Sequence, residues 1–395
     1  MTLRALQPSD HPAVNALHRA VWWPERSAAG WRWLDANPAR TDIAAPSGWV
    51  VEGEDGHPAA FIGNMVQRVW QGDRIQHAAT GFSLIVPPAA RGRSRALIRS
   101  VIDQPHVFAV HTLNANPKSA PLYARHGMTA WPDRTSALKL SWVIDPIDCL
   151  HSRVLREMVR RAPGLTDPYR ERFMSRRLSP SGLNASGLNA SGLNASGMGS
   201  PRRRMMPSDI ETLSDLGDAS DYADFWAALK VEGRMVSDRS PQILRWRLSD
   251  PDQTRKPILL AHRREGRITG YGLAILAKAT PIEPVVLEIV DLIALDDQPR
   301  AIPALMRGLM DAGRTAGAAK VRLQVVNEEL LRRLGPWAAG ARREGGWGHG
   351  HAVFRAGGPD PDSWQPTPFD GDHGICQRPL PIRPSHRATG IRPAA

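Results

Sequence analysis

The stretch VPPAARGRSRAL, residues 86–97, sets Arg91, Arg93 and Arg95 around Gly92 where an apolar strand pattern gives way to a helical one. A helix start preceded by a tight loop leaves backbone N–H groups unpaired and carries the positive end of the helix dipole. Such a start draws phosphate oxygens; arginine side chains add charge, and a glycine lets the backbone come close to the anion. The chemistry on offer is the binding of a phosphorylated ligand. A second polar motif follows in NANPKSAPLYARHGM, where Asn116 stands seven residues before Tyr123 and Tyr123 four before Gly127, on a short helix after the next strand.

The elements that must position these residues are legible around them. LRALQPSDHPAVNALHRAVW reads as a strand and then a helix begun by Ser9, Asp10 and Pro12. A hairpin is expected over 48–64, a separate strand at RVWQ, and a long strand HAATGFSLIV ending at Pro87. A helix over 94–103, a strand HVFAVHT, a helix over 117–126 and a closing strand SALKLSWV complete the half. The order is α+β, a mostly antiparallel sheet with one strand–helix–strand crossover.

The block SGLNASGLNASGLNASGMGSP repeats a small polar unit that can bury nothing and reads as a flexible spacer dividing the chain. The halves echo each other across it. WRWLDANP and LRWRLSDP place Trp33 and Trp246 at the same distance before Pro38 and Pro251, and two hairpins place Gly56 and Gly266 at the same distance before Phe61 and Tyr271. Matches in the same order favour duplicated domains, with the two tryptophans as core anchors.

Together the arginine stretch and the Asn116–Tyr123–Gly127 segment resemble the GCN5-related N-acetyltransferase family, the first motif being similar to its pyrophosphate loop. The likeness spans residues 1–143 in element order as well as motif, and departs from the family at Ser94, where glycine is usual. It implies two acyl-CoA N-acyltransferase-like domains, each a mostly antiparallel twisted sheet flanked by helices. Residues 1–143 would be the catalytic domain, 144–207 a basic connector with the spacer, 208–357 a degenerate copy, and 358–395 a C-terminal tail. Acetyl-CoA would serve as acyl donor, its pantetheine on Leu84, Ile85 and Val86, and its pyrophosphate on Arg91, Gly92, Arg93, Ser94, Arg95 and Ala96. Asn116 would touch the pantetheine arm and Tyr123 would protonate the leaving thiolate. The acceptor would be a primary amine of a small molecule or amino sugar, attacking directly in a ternary complex with the oxyanion held at a strand bulge. Glu52, His77, Thr80, Ser83 and His111 are the possible bases. An aminoacyl-tRNA-dependent amide-forming transferase and a non-catalytic scaffold of the same fold are the alternatives.

In the second half the corresponding loop, DDQPRAIPALM, lacks the glycine, has Pro303 at the Ser94 position and carries two acids, so a degenerate copy is the economical reading. SWQPTPFDGDHG, with Asp370 and Asp372, reads as a polar turn, although it also resembles the close of acetyltransferase-like proteins associated with bacterial polysaccharide synthesis. The net charge of +12 suggests nucleic acid only until its distribution is checked. The excess lies entirely in residues 151–204 and 373–395, so a solvated linker and tail are expected rather than a nucleic-acid surface. Cys149 and Cys376 lack metal-ligand spacing, and no metal is expected; with no apolar run of membrane-spanning length and no signal core, the expectation is a soluble cytoplasmic protein with no membrane partner.

Overall fold

A computed structural model of the chain describes residues 2–21, 23–162, 208–253, 255–277, 283–345 and 347–376. The repeat spacer and the arginines of the tail lie outside these residues, whereas the expected basic connector begins inside them, with Arg153, Arg156, Arg160 and Arg161 on a helix over Pro146–Arg161. The first half runs β1 (Leu3–Ala5), α1 (His11–Ala20), α2 (Ala28–Asp35), α3 (Pro38–Asp42), β2 (Gly48–Glu52), β3 (Pro58–Gln71), β4 (Arg74–Ile85), α4 (Ser94–Ile102), β5 (Ala109–Thr112), α5 (Ala120–Arg125), β6 (Thr129–Ala130), β7 (Leu138–Val143) and α6 (Pro146–Arg161). The second runs β8 (Ile210–Thr212), α7 (Asp221–Val231), β9 (Val236–Ser237), α8 (Pro241–Leu248), β10 (Ile258–Arg264), β11 (Arg267–Ala277), β12 (Val286–Ala294), α9 (Ala301–Thr315), β13 (Lys320–Leu323), α10 (Glu328–Leu334), α11 (Pro336–Gly340), β14 (Arg342–Gly345), β15 (His351–Phe354) and α12 (His373–Cys376).

The expected α+β class holds: two mostly antiparallel sheets, each with one parallel crossover pair, β4 with β5 and β12 with β13, are flanked by helices. RVWQ is the end of β3 rather than a separate strand, because β3 pairs with β4 continuously from Gly63 to Gln71. Asp10 does not cap α1 with its side chain; its carboxylate receives Arg4 at 2.6 Å instead. The apolar face of α4, Leu97, Ile98, Val101 and Ile102, closes over Ile62, Val66 and Ala79 of the first sheet, and α9 covers the second sheet in the same way with Leu305, Met306 and Leu309.

The sheets do not divide where the chain does. The order in one is β1-β2-β3-β4-β5-β15-β6, and in the other β14-β7-β13-β12-β11-β10-β8. The strand SALKLSWV, expected to close the first sheet before residue 143, lies in the second as β7, and β15, from residues expected in the second domain, sits between β5 and β6 of the first. Apolar burial accounts for the exchange. Leu140 and Trp142 of β7 join Leu287, Val321 and Leu323 in the second core, whereas Ala352 of β15 packs with Ala109 and Trp131 of the first half. The described part of the expected tail is interior as well: Trp364, Phe369 and Ile375 are each at most 7% exposed.

The duplicated Trp–Pro segments meet at the centre of the interface. The rings of Trp33 and Trp246 stack at 4.7 Å and 11°, and each indole N–H donates to the other tryptophan's carbonyl, at 2.7 and 3.0 Å. This satisfies both buried donors within one reciprocal contact.

Strand exchange leaves neither half with a complete sheet. Residues 1–150 expressed alone are expected to show no cooperative thermal transition by circular dichroism, and addition of residues 208–376 is expected to restore one. A cooperative transition in the first fragment by itself would refute the dependence.

Candidate functional site

β4 and β5 pair in parallel only from Ala78↔Ala109 to Thr80↔His111. Beyond Thr80 the strands part, and the β5-side edge of β4 over Gly81–Ile85 has no strand partner among the described residues. On the other edge, Phe61 pairs with Ile85 and Gly63 with Phe82, so Ser83 and Leu84 oppose a single residue of β3. This is a bulge, and Ser83 within it stands at φ +52°, in the left-handed region.

The mouth of the opening is the start of α4. Ala90, Arg91 and Arg93 donate their amides within the preceding turn, but those of Gly92, Ser94, Arg95 and Ala96 donate to no backbone group, and Arg93 at the helix start offers no side-chain cap. Gly92 holds φ +90°, a conformation other residues resist, with open space around its Cα. Arg91, Arg93 and Arg95 are exposed around these amides. A row of unsatisfied donors beside three cations is an anion site in its physics.

Tyr123 lies on the other wall. Its ring belongs to the apolar cluster against which Leu84 and Val86 pack from β4, and it is buried. Burial, then the negative charge of Asp372, push its hydroxyl above the ordinary tyrosine value, while a hydrogen bond with Thr112 opposes them. Thr112 follows the last β5 residue paired with β4, so this hydrogen bond lies where those two strands separate. Its other neighbours come from the far half of the chain: the His351 ring of β15 is 6.3 Å away, and Asp372 precedes α12. Leu84, Val86 and Tyr123 thus meet in one apolar cluster with the buried face of α4, and the Arg91–Ala96 loop leads from the end of β4 at Ile85 into that helix. Asn116 is exposed, and its Oδ1 accepts from the amides of Lys118 and Ser119, which spends that oxygen on the turn before α5.

The five residues considered as bases disperse. Glu52 accepts from Arg4 at 3.1 Å and His77 lies 3.1 Å from Asp42, so both are held in ion-pair networks. His111 donates through Nε2 to the Asp370 carbonyl at 2.6 Å and is pushed down by burial. Thr80 is buried with its hydroxyl lacking a partner, and Ser83 borders a second cleft on the side of the bulge away from α4. That cleft is lined by His18, Trp23, Glu25 and Arg26 around the α1–α2 loop, by Phe82 and Ser83, and by Asp250, Asp252 and Ile275 of the second half. Arg26 holds Asp250 at 3.2 Å through both carboxylate oxygens and donates to the Ile375 carbonyl.

The equivalent opening in the second sheet is closed. β12 and β13 part after Ile289↔Leu323, beside a bulge at Val290, but residues 366–370 fill the space. Asn327 donates to the Pro366 carbonyl at 2.9 Å, Thr367 to Asp291 at 2.7 Å, and Arg247 to the Phe369 carbonyl at 3.0 Å. Arg239, 1% exposed, binds Asp291 at 2.7 Å and Asp370 at 3.3 Å, and Tyr271 donates to the same Asp291. At the start of α9 the Ala301 amide is spent on Gln298, Pro303 has no N–H, and Arg333 covers the carbonyls of Ala294, Leu295 and Gln298. Of the amides at this helix start, those of Arg300 and Ile302 donate to no backbone group.

Among the described residues no group of three or more His, Cys, Asp or Glu side chains could hold a metal ion, and no helix is long and apolar enough to cross a membrane. No family model matches the chain, and no curated protein matches it. Solved structures similar to it include a probable N-acyltransferase from Enterococcus faecalis V583, at 11% identity over 89% of this chain and 72% of that one, with a TM-score of 0.48. A GCN5-related N-acetyltransferase from Kribbella flavida has 13% identity over 89% and 71%, with a TM-score of 0.45. Eis1 from Mycobacterium abscessus has 16% identity over 90% and 74%, with a TM-score of 0.46.

Removing the cation from the closed cleft leaves two buried carboxylates uncompensated. Arg239→Met is expected to lower stability by about 3–5 kcal/mol, read as a shift of the urea midpoint; an unchanged midpoint would show that the network contributes little.

Proposed function

We propose that the protein is an acyl-CoA-dependent N-acyltransferase that moves an acetyl group from acetyl-CoA to a primary amine, working at the open cleft of the first sheet. The observation that carries this reading is a single juxtaposition. Four amides without a backbone acceptor at the start of α4, the unpartnered edge of β4 and the buried Tyr123 all belong to the elements around the point where β4 and β5 part.

In this reading the amides of Gly92 and Ser94–Ala96 take the pyrophosphate, with Arg91, Arg93 and Arg95 adding charge. The edge of β4 at Leu84–Val86 pairs with the pantetheine amides as a short strand would. The Asn116 Nδ2 is left to reach the pantetheine arm. The thioester then reaches the bulge, where main-chain N–H groups around Ser83 can stabilise the developing oxyanion. The amine enters from the cleft by the α1–α2 loop and attacks in its neutral form. The carbon–sulfur bond breaks with its electron pair on sulfur, and Tyr123 donates a proton to it. A tyrosine held above its ordinary pKa is fully protonated at neutral pH, as an acid must be. The sequence already places donor binding in the first half and a degenerate copy in the second, and the filling of the second opening by residues 366–370 supports that assignment.

Calorimetric titration of the full chain with CoA tests the reading. One site is expected, weakened by about 1–3 kcal/mol in Gly92→Val and in Arg91→Ala as a backbone or charge-assisted contact is lost. Absence of binding to the parent chain would end the proposal. For the acid, Tyr123→Phe is expected to keep CoA affinity while turnover falls about 10²-fold. Lost affinity with turnover retained would make Tyr123 a packing residue.

A further inference from the structure

Amide formation needs a group to take the proton that nitrogen loses, and none of Glu52, His77 and His111 borders the cleft by which an amine would enter. His18 does. It lies on α1, four residues after buried Val14, so helical periodicity puts it on the buried face, and it lines the cleft beside Phe82 and Ser83. Its ring is fixed by three aromatic neighbours, with centroids 6.2 Å from Trp23, 6.2 Å from Trp31 and 5.9 Å from Phe61. Nδ1 lies 3.1 Å from the Pro24 carbonyl. A carbonyl can only accept, so Nδ1 carries the hydrogen and Nε2 presents a lone pair. That Nε2 is buried and has no hydrogen-bond partner. A buried polar atom with no partner costs stability unless a ligand supplies one.

We propose that His18 is the base of this reaction, its Nε2 accepting the proton of the acceptor's nitrogen as the carbon–nitrogen bond forms. The inference rests on the acyl-transfer reading above. Electrons and protons balance with Tyr123: the nitrogen lone pair forms the new bond to the acyl carbon, and the carbon–sulfur pair leaves on sulfur. One proton passes from nitrogen to Nε2, and another from the Tyr123 hydroxyl to sulfur. Solvent then takes the first and restores the second.

Burial is the main cause pushing the imidazole down to about 4, with Arg26 adding to it, while the Pro24 carbonyl and Glu25 oppose. Asp250, Asp252 and Arg255 are the other charged groups of the cleft, and Asp250 is already held by Arg26. At neutral pH the ring is therefore uncharged and its lone pair available. It is a weak base toward a free ammonium. The proton it takes, however, comes from a nitrogen already bonded to the acyl carbon, which is far more acidic.

The test uses the full chain with acetyl-CoA and a set of primary alkylamines, reading release of the CoA thiol; where no amine accelerates release, the slower release to water is read. His18→Asn keeps a donor for the Pro24 carbonyl and removes Nε2, and His18→Ala opens room for a small base. Both are expected to bind CoA as the parent does and to lose about 10²-fold in rate. Added imidazole is expected to raise the rate of His18→Ala, a rescue that a packing role would not produce. Should His18→Ala fail to fold, nitrogen NMR of the parent supplies an independent readout. The Nδ1–H tautomer with bare Nε2 is expected from pH 6 to 8, and an Nε2–H tautomer would overturn the assignment. Unchanged rate in His18→Asn, or a slow His18→Ala that imidazole does not help, would overturn the base while leaving the transferase reading intact. Failure of the parent to bind CoA would remove both.

Discussion

The exchange of β7 and β15 is the constraint from which the rest of the structure follows. Each half lends the other a strand: β7 lies between β13 and β14, and β15 lies between β5 and β6. A strand at an edge exposes a row of unpaired backbone groups, whereas one inserted between two partners satisfies both edges and buries its side chains. The exchange thus converts two marginal sheets into one cooperative body. It also requires the halves to approach closely, and the contact that sets their approach is the stacked, reciprocally hydrogen-bonded pair Trp33 and Trp246.

Within this near-symmetric frame the two clefts differ through a few residues. Both sheets have a parallel pair that parts beside a bulge, and both place a long helix after it. The first helix start leaves four amides without a backbone acceptor, while the second leaves two, has Pro303 in place of a further donor and has Arg333 lying across the carbonyls. The second opening is filled by residues 366–370, fixed by Arg239 between Asp291 and Asp370. Burying that much charge is tolerable because Arg239 and Thr367 answer both oxygens of Asp291 and one oxygen of Asp370. A closed cleft of this kind is rigid, which suits a wall better than a binding site.

Much of this was legible in the sequence, and the limits have physical causes. The helix start at Ser94 and its positive-φ Gly92 were readable because they depend on local features, a glycine and the onset of helical periodicity. The repeated Trp–Pro and hairpin segments were readable because duplication leaves spacing behind, and the structure places both tryptophans in mutual contact. SALKLSWV was readable as a strand, but alternation of side chains specifies a strand's faces and not its partners, so the exchange left no local trace. Residues 342–354 went unassigned because their strands are short and interrupted by glycines. Asp370 and Asp372 looked like a polar turn because sequence carries no sign of the buried arginine that compensates the first of them. His18 could have been placed on the buried face of α1 from its spacing with Val14, but a lone buried histidine gives no signal of function until its Nε2 is seen to lack a partner.

The segment that closes the second cleft also shapes the first. After Asp370 the chain runs past Leu113, where the His373 ring lies 3.2 Å from the Leu113 carbonyl, and Ile375 joins Phe61 and Phe82 beside the bulge. Asp372 bears on the Tyr123 hydroxyl, and the Ile375 carbonyl receives the Arg26 side chain that borders the cleft of His18. The second half further supplies Asp250, Asp252 and Ile275 to that cleft and β15 to the sheet behind Tyr123. The second half thus buries the segment that bears on Tyr123 and lends side chains to the cleft of His18, so the surroundings of both residues are set by both halves of the chain.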